Sequence, residues 1–388
     1  MWNVTFTLFS PLIFTYRLGY YLFPHCERQK KITEELTSQL ERNFTHRGGC
    51  IAGRGHYANV WTRDSFFALF APIKETAKHT ERLANRLRMH MTSNGMVPFT
   101  FHEVYYLPAL LCNWKCFRKK PEPVYRDEKL GSLVMDANSQ YIILVCIAYE
   151  NLVGVDKKRW GIAHDKAVEK ALNYYEQFRL SDGLIYEKPF ANWEDSLLLE
   201  GVVPYTNLLW LEANRRIISS DHPLCKVVDY ENKKRSVMEF LINMENPDTV
   251  TVSLMVLWYP TELATKKQFE RLRQAFKTRR YGIPNRLKKL ESDKEFYPLW
   301  IIGQSEYHNG WYWSWVGLLW CVALYKKGFT IEARKVFATY RIKYKRYGTI
   351  HEVYDHIGIP IKGSLYESEP YFSEGIGMYL YVEKLCEF

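Results

Sequence analysis

Nothing in this sequence divides it. No serine- and glycine-rich stretch and no low-complexity tract interrupts the 388 residues, so no flexible linker is expected. Runs that read as β-strand are few and do not alternate with helices, which excludes a doubly wound parallel sheet. No fixed-period repeat identity is visible, which disfavours solenoids that carry a signature. Cysteine is sparse: the eight residues at 26, 50, 112, 116, 146, 225, 321 and 386 are too dilute for a disulfide framework. Cys112 and Cys116 can share a helix face, but no second pair completes a zinc pattern, while Cys146 and Cys321 lie in apolar runs as buried thiols. No nucleic-acid-binding motif accompanies the net charge of +10, so no nucleic-acid partner is expected. Much of that charge falls between Lys266 and Lys289. It reads as a solvated helix face plus loop, with a polyanion or anionic membrane surface as the alternative.

The N-terminal stretch MWNVTFTLFSPLIFTYRLGYYLF lacks a basic leader, and Pro11 and Arg17 interrupt it. It makes a poor signal peptide and a poor membrane span. We therefore expect no integral membrane segment and favour the cytoplasm slightly over secretion, although sequons at Asn3 and Asn43 point weakly the other way. The alternation from Trp2 to Phe9 predicts a small β-like extension over residues 1–28, packed on a single domain spanning 1–388.

What the sequence has in quantity is aromatic side chains and helical signals. It holds 12 Trp, 28 Tyr and 21 Phe, enough for a large aromatic core with rings left over to stack on sugar faces. Helical segments recur: KKITEELTSQLERN, DANSQYIILVCIAYENLV, HDKAVEKALNYYEQF, PYTNLLWLEANRRIISS, KKQFERLRQAFKTRR, GWYWSWVGLLWCVALYKKG, IEARKVFATYRIKY and SEGIGMYLYVEKLCEF. Prolines fall between them or at their starts. Six helical hairpins in a closed double ring need about a dozen helices of ordinary length, which this chain accommodates. The predicted fold class is all-α, an (α/α)6 toroid.

Four polar clusters sit at helix starts or in loops, where function tends to lie. They are WTRDS at 61–65, PFANWEDSLLLEG at 189–201, SEYHNGWYWSW at 305–315 and GTIHEVYDHIGIP at 348–360. Arg63 and Asp64 precede an apolar helical run, and buried charges are costly unless paired. They are a structural ion pair or a binding pair. Glu194 and Asp195 follow Trp193, and a carboxyl desolvated against an indole is held protonated, as a general acid must be. A helix cap beside a packing Trp is the alternative. Glu352 lies near Tyr354 and Asp355, a more polar setting that suits an ionised base. His351 and His356 read as surface or cap residues, since no third metal ligand has suitable spacing.

Together the clusters resemble the glucoamylases and the amylo-α-1,6-glucosidase part of glycogen debranching enzymes. Trp61–Ser65 matches their W-x-R-D-[ST] segment, Trp193–Asp195 a W-x-D segment, and Tyr307–Gly310 a Y-H-N-G segment. Further matches are Phe372–Ser373, opening the last helix, and Asp136–Ile142, a D-A-N helix start. The resemblance runs as ordered landmarks over roughly residues 55–385. It implies an (α/α)6 barrel and an inverting exo-acting α-glycosidase, with a carbohydrate substrate and with no metal or organic cofactor. In such a site Arg63 and Asp64 hold the hydroxyls of the non-reducing sugar. Asp195, or Glu194 in the glucoamylase register, protonates the glycosidic oxygen. Glu352 activates water from the opposite face, the two carboxyls standing about 6.5–9.5 Å apart. Trp61, Trp193 and Trp311 are its expected walls, and Tyr307, His308 and Asn309 its expected hydrogen-bonding groups. The alternatives are a lyase, epimerase or phosphorylase on the same barrel, an inactive carbohydrate-binding relative, or a helical scaffold.

Overall fold

The computed structural model describes residues 32–55, 57–102, 123–127, 129–220, 222, 229–298, 306–363 and 366–386. The expected N-terminal extension and the Cys112/Cys116 pair lie outside these residues. Twelve α-helices occur among the described residues. They are α1 (Ile32–Asn43), α2 (Thr62–Ala68), α3 (Thr76–Met89), α4 (Asp136–Asn151), α5 (Gly154–Glu176) and α6 (Pro204–Ser219). Then follow α7 (Tyr230–Ile242), α8 (Thr249–Trp258), α9 (Leu263–Phe276), α10 (Ser314–Lys326), α11 (Thr330–Tyr347) and α12 (Ser373–Cys386).

The even-numbered helices form a closed inner ring. α2 packs on α4, α4 on α6, α6 on α8, α8 on α10, α10 on α12, and α12 returns to α2. The odd-numbered helices lie outside: α1 against α12, α3 and α5 against α4, α7 against α6, α9 against α8, and α11 against α10. Residue composition follows the ring. In α10, SWVGLLWCVALYK, eleven of 13 residues are buried. In α7, YENKKRSVMEFLI, only Val237 and Leu241 are buried. A helix apolar all round must be enclosed, whereas an outer helix needs one apolar stripe. The (α/α)6 toroid expected from the sequence is the fold observed.

Three small sheets cap one end of the toroid. β1 (Val60–Trp61), β2 (Thr100–Phe101) and β3 (Pro123–Val124) form one antiparallel sheet. β4 (Tyr186–Glu187) pairs with β5 (Gly201–Val202), and β6 (Tyr312–Trp313) with β7 (Val353–Tyr354). β1 runs straight into α2, β5 reaches α6 one residue later, and β6 runs straight into α10. The sheets therefore gather at the end where inner helices begin.

Several expectations are corrected. Helices α3, α7 and α8 were not among the predicted segments, and α5 begins ten residues before the predicted His164. His351 is buried rather than superficial, with Nδ1 placed 3.2 Å from the Ser368 carbonyl. Asn43 is buried too, its amide donating to the Tyr371 carbonyl and to Ser373 Oγ, both at 2.9 Å. In the folded chain it is closed to glycosylation. The basic 266–289 segment is, as expected, largely the exposed face of α9 plus the loop after it, with Arg273 paired to Glu270 and Glu332, but Arg286 in that loop is buried. No helix among the described residues is long and apolar enough to cross a membrane.

Candidate active site

At the end where the inner helices start, a cavity of about 430 Å3, mouth included, opens between the loops. Its lining draws on all four polar clusters: Trp61, Arg63 and Asp64; Trp193 and Asp195; Tyr307, His308, Trp313 and Trp315; and Glu352. Ala52, Tyr57, Phe372 and Glu374 complete it.

Local structure explains the delivery. Arg63 and Asp64 occupy the first turn of α2, and Glu374 that of α12. Carboxylates are favoured there by the unpaired amides and the helix dipole. The 189–201 and 305–315 clusters, and the segment leading into α12, arrive on loops held in costly conformations. Phe190, Glu306 and Tyr371 have φ of 65°, 62° and 57°, a region unfavourable to residues with a Cβ. Each lies within five residues of a cavity-lining side chain. Such strain persists only where surroundings over-determine it, commonly at functional sites. For the 190–195 loop the anchor is Glu187 of β4, which accepts hydrogen bonds from Asn192 Nδ2 and Thr206 Oγ1. Burial pushes its carboxyl up to about 8.

The two consecutive acids part company. Glu194 turns away from the cavity and pairs with the buried Arg286, while its main-chain amide donates to Asn192 Oδ1 at 2.8 Å. Burial raises its carboxyl to about 7 against the pull of Arg286. Asp195 lines the cavity, with its Oδ1 3.7 Å from Lys129 Nζ. Lys129 also donates to the Asp195 carbonyl and stands 3.8 Å from Asp127. Burial pushes the Asp195 carboxyl up, but the cations Lys129 and Arg63 more than offset this and leave it below the ordinary value. The expectation that the Trp193 indole keeps the cavity acid protonated is thus corrected. Desolvation acts on Glu194, while the ammonium of Lys129 holds Asp195 ionised.

Glu352 is buried and well supplied with donors. Tyr307 Oη donates to its Oε1, Tyr366 Oη donates to its Oε2 at 2.6 Å, and the Glu369 amide lies 3.4 Å from Oε2. The polar setting expected from Asp355 is absent. Asp355 closes an exposed turn instead, accepting from the Ile357 and Ile359 amides at 2.9 Å.

The cavity floor gathers charge. Arg63 Nη1 stands 3.6 Å from Asp136 Oδ2, which fixes the guanidinium from behind. Burial, with Glu352 and Asp195 nearby, raises Asp64 to about 7 despite Arg63. Burial likewise raises Asp136 to about 6 and Glu374 well above the usual carboxyl range, the latter helped by Asp64. His308 stacks on Trp313 at 4.7 Å, its Nδ1 2.7 Å from Ser196 Oγ, and burial lowers it to about 3, so it is neutral. Five cavity-lining groups present buried polar atoms without a protein partner: Trp61 Nε1, Trp193 Nε1, His308 Nε2, Trp315 Nε1 and Glu374 Oε1. Buried polar atoms in native proteins are normally satisfied, so this set fits a ligand rich in hydroxyls.

Two expected site residues sit elsewhere. Asn309 is tied to Leu290 and Glu295, donating at 3.0 and 2.6 Å and accepting the Leu290 amide at 2.7 Å. It holds a loop and does not line the cavity. Trp311 stacks on Tyr366 at 5.8 Å, one layer behind. Sequence reasoning missed Tyr57, Lys129, Trp313, Trp315, Tyr366 and Glu374. For Glu374 a signal existed, since it directly follows the Phe372–Ser373 landmark.

No family model and no curated protein sequence matches this chain. Solved structures do. A mannosylglycerate hydrolase of glycoside hydrolase family GH63 from Thermus thermophilus, in complex with glucose, superposes with a TM-score of 0.60. The match has 14% identity and covers 91% of this chain and 99% of that one. A structure described as a wild-type glycosidase gives 0.63 at 12% identity, over 92% and 96%. A rhamnosidase from Klebsiella oxytoca with rhamnose bound gives 0.61 at 9% identity, over 93% of this chain and 65% of that one. The chain thus has the α/α toroid fold of these glycosidases.

Proposed function

We propose that the chain is an inverting glycoside hydrolase that removes one sugar from a non-reducing end, with α-glucoside-like substrates first among those to try. The observation that carries this reading is the meeting of Asp195 and Glu352 in one cavity with Arg63 and Asp64. The sugar ring lies against Trp61 and Trp193. Arg63 donates to its hydroxyls, and Asp64 and Tyr307 complete the hydrogen bonding, so a ring lacking a hydroxyl leaves buried charges unpaired. His308, neutral, offers Nε2 as one further partner. Asp195 gives its proton to the glycosidic oxygen as the C–O bond breaks. A water on the far face loses its proton to Glu352 and bonds to the anomeric carbon. Asp195 reaches the acid state only if an arriving leaving group disturbs its pair with Lys129. The sugar-binding neighbours of like fold support the substrate class.

A second reading, sugar binding without hydrolysis, is favoured by one observation: Lys129 holds the proposed acid ionised. One experiment separates the two. Purified protein is screened on α- and β-linked glucosides, mannosides and uronides, and the anomer first released is identified by proton NMR. Inversion on an α-linked substrate requires the β anomer first, before mutarotation. Early release of the α anomer refutes the role given to Glu352. Tight sugar binding with no release supports the second reading.

A further inference from the structure

Behind Glu352 lies a carboxylate that the proposed reaction does not use. Glu369 is fully buried. Its side chain reaches across to the 53–57 loop, where Oε1 accepts the Gly55 amide and Oε2 the Tyr57 amide, the latter at 3.3 Å. The loop is shaped to receive it. Gly53 accepts this approach because a Cβ there would collide with the Glu369 side chain, and a Cβ at Gly55 would come within 2.9 Å of both carboxylate oxygens. The same loop is closed by the Gly53 amide donating to the Tyr57 carbonyl at 3.2 Å.

The main chain of Glu369 serves a second purpose. Its amide stands 3.4 Å from Glu352 Oε2, and its carbonyl accepts the Glu352 amide at 2.9 Å. Tyr57 closes the figure, since its hydroxyl lies 3.3 Å from Tyr307 Oη, which donates to Glu352 Oε1. A hydrogen-bonded circuit thus runs from one oxygen of Glu352 through Tyr307, Tyr57 and Glu369 to the other oxygen.

We propose that Glu369 is the positioning residue for this site: it clasps the 53–57 loop and holds the Tyr57 wall and the Glu352 carboxylate in one fixed relation. The inference rests on the reading of Glu352 as the base. A carboxylate suits the clasp because two oxygens must each accept an N–H. Glutamine offers one acceptor and turns an NH2 toward the other amide, donor against donor, at nearly the same volume. Glu369→Gln therefore opens the circuit without emptying the space. A displacement of about 1 Å at a reacting group can cost about 100-fold in rate.

The test has a structural and a kinetic arm. Hydrogen exchange of the full chain reads the clasp: in Glu369→Gln the amides of Gly55 and Tyr57 should exchange faster, while those of α7 do not. Kinetics on a substrate that the wild type hydrolyses reads the positioning. Glu369→Gln should lower kcat by roughly 10–100-fold with KM within about threefold, because the loss falls on the reacting geometry rather than on sugar binding. Tyr57→Phe keeps the wall and removes only the hydroxyl link. It should slow the wild type but add little in the Glu369→Gln background, since the circuit is already open there. Leu241→Ala, in outer helix α7, is the matched destabilised control and should lower Tm without changing kcat. Unchanged exchange at 55 and 57, fully additive costs of the two substitutions, or a rise in KM alone would each overturn the proposal. A wild type that hydrolyses no glycoside defeats the reading of Glu352, and the exchange arm then decides the clasp by itself.

Discussion

Glu194 and Asp195 are joined by one peptide bond and meet opposite surroundings. Glu194 is enclosed with Arg286, whereas the Asp195 side chain keeps 26% of its exposure and faces Lys129 across 3.7 Å. Removing one partner of a buried pair leaves an uncompensated charge and costs roughly 3–5 kcal/mol. A partly exposed pair costs about 1 kcal/mol or less. Glu194→Gln should therefore lower Tm by several degrees, with any rate loss shared equally by good and poor leaving groups. Asp195→Asn should leave Tm nearly unchanged and slow poor leaving groups far more than good ones, because only poor ones need protonation. A Tm series and a set of aryl glycosides of graded leaving ability check both, and exchanged outcomes would move the acid to Glu194. The sequence made the motifs visible because Arg-Asp and Trp-acid pairs beside apolar runs are costly unless something pairs with them. It could not rank the two acids, since the ranking comes from Lys129, 66 residues away in the chain, and from Arg286, 92 residues away.

At the level of elements, local propensity and enclosure disagree most in α8. Its sequence TVTVSLMVLW is rich in β-branched residues that favour strands, yet it is an inner-ring helix with eight of ten residues buried. Packing between α6 and α10 overrides the weak local preference, which is why sequence reading passed over it. α7 escaped for the opposite reason, its two buried residues giving almost no periodic signal. The inner helices α4, α6, α10 and α12 were legible as long apolar runs. Outer helix α11 carries an anomaly of its own. Lys343 is buried with its Nζ lacking a hydrogen-bond partner, 3.7 Å from the Tyr354 ring centroid and 4.7 Å from that of Tyr340. Burial lowers its pKa to about 7, with Asp355 pulling the other way. A cation over a ring returns about 0.5–2 kcal/mol, less than a depression of this size implies. Because the folded value lies below the unfolded one, the stability present above about pH 10.5 is lost as pH falls toward 7. Lys343→Met should raise stability by roughly 1–3 kcal/mol at pH 7, and the gain should shrink toward pH 10. A lower Tm at pH 7 would mean that the contact with Tyr354 outweighs desolvation.

On the scale of the whole molecule, a ring of six inner helices directs several of its N-termini and their acids toward one floor. Asp64, Asp136 and Glu374 share that floor with a single guanidinium, and burial raises all three. The arrangement suits a ligand that brings hydroxyls and excludes water, and it weakens the empty fold, a trade common at functional sites. The direction with pH follows from linkage. A carboxyl whose folded pKa is raised binds its proton more tightly in the folded state, so stability falls as pH climbs from the unfolded value to the folded one. For Asp64 that window runs from 3.8 to about 7. Asp64→Asn removes the titration and keeps the shape. Its Tm relative to wild type should therefore climb between pH 4 and pH 7 and level off above, reaching a gain of roughly 1–3 kcal/mol at pH 8. Turnover should fall most above that window, where wild-type Asp64 is charged, because the amide cannot replace the charged acceptor of a sugar hydroxyl. Scanning calorimetry at unit pH steps, paired with rates on the best substrate, gives both curves. If the variant instead melts below wild type at pH 8 and keeps its activity, Asp64 is a structural partner of Arg63, and sugar recognition must be assigned to other groups in the cavity.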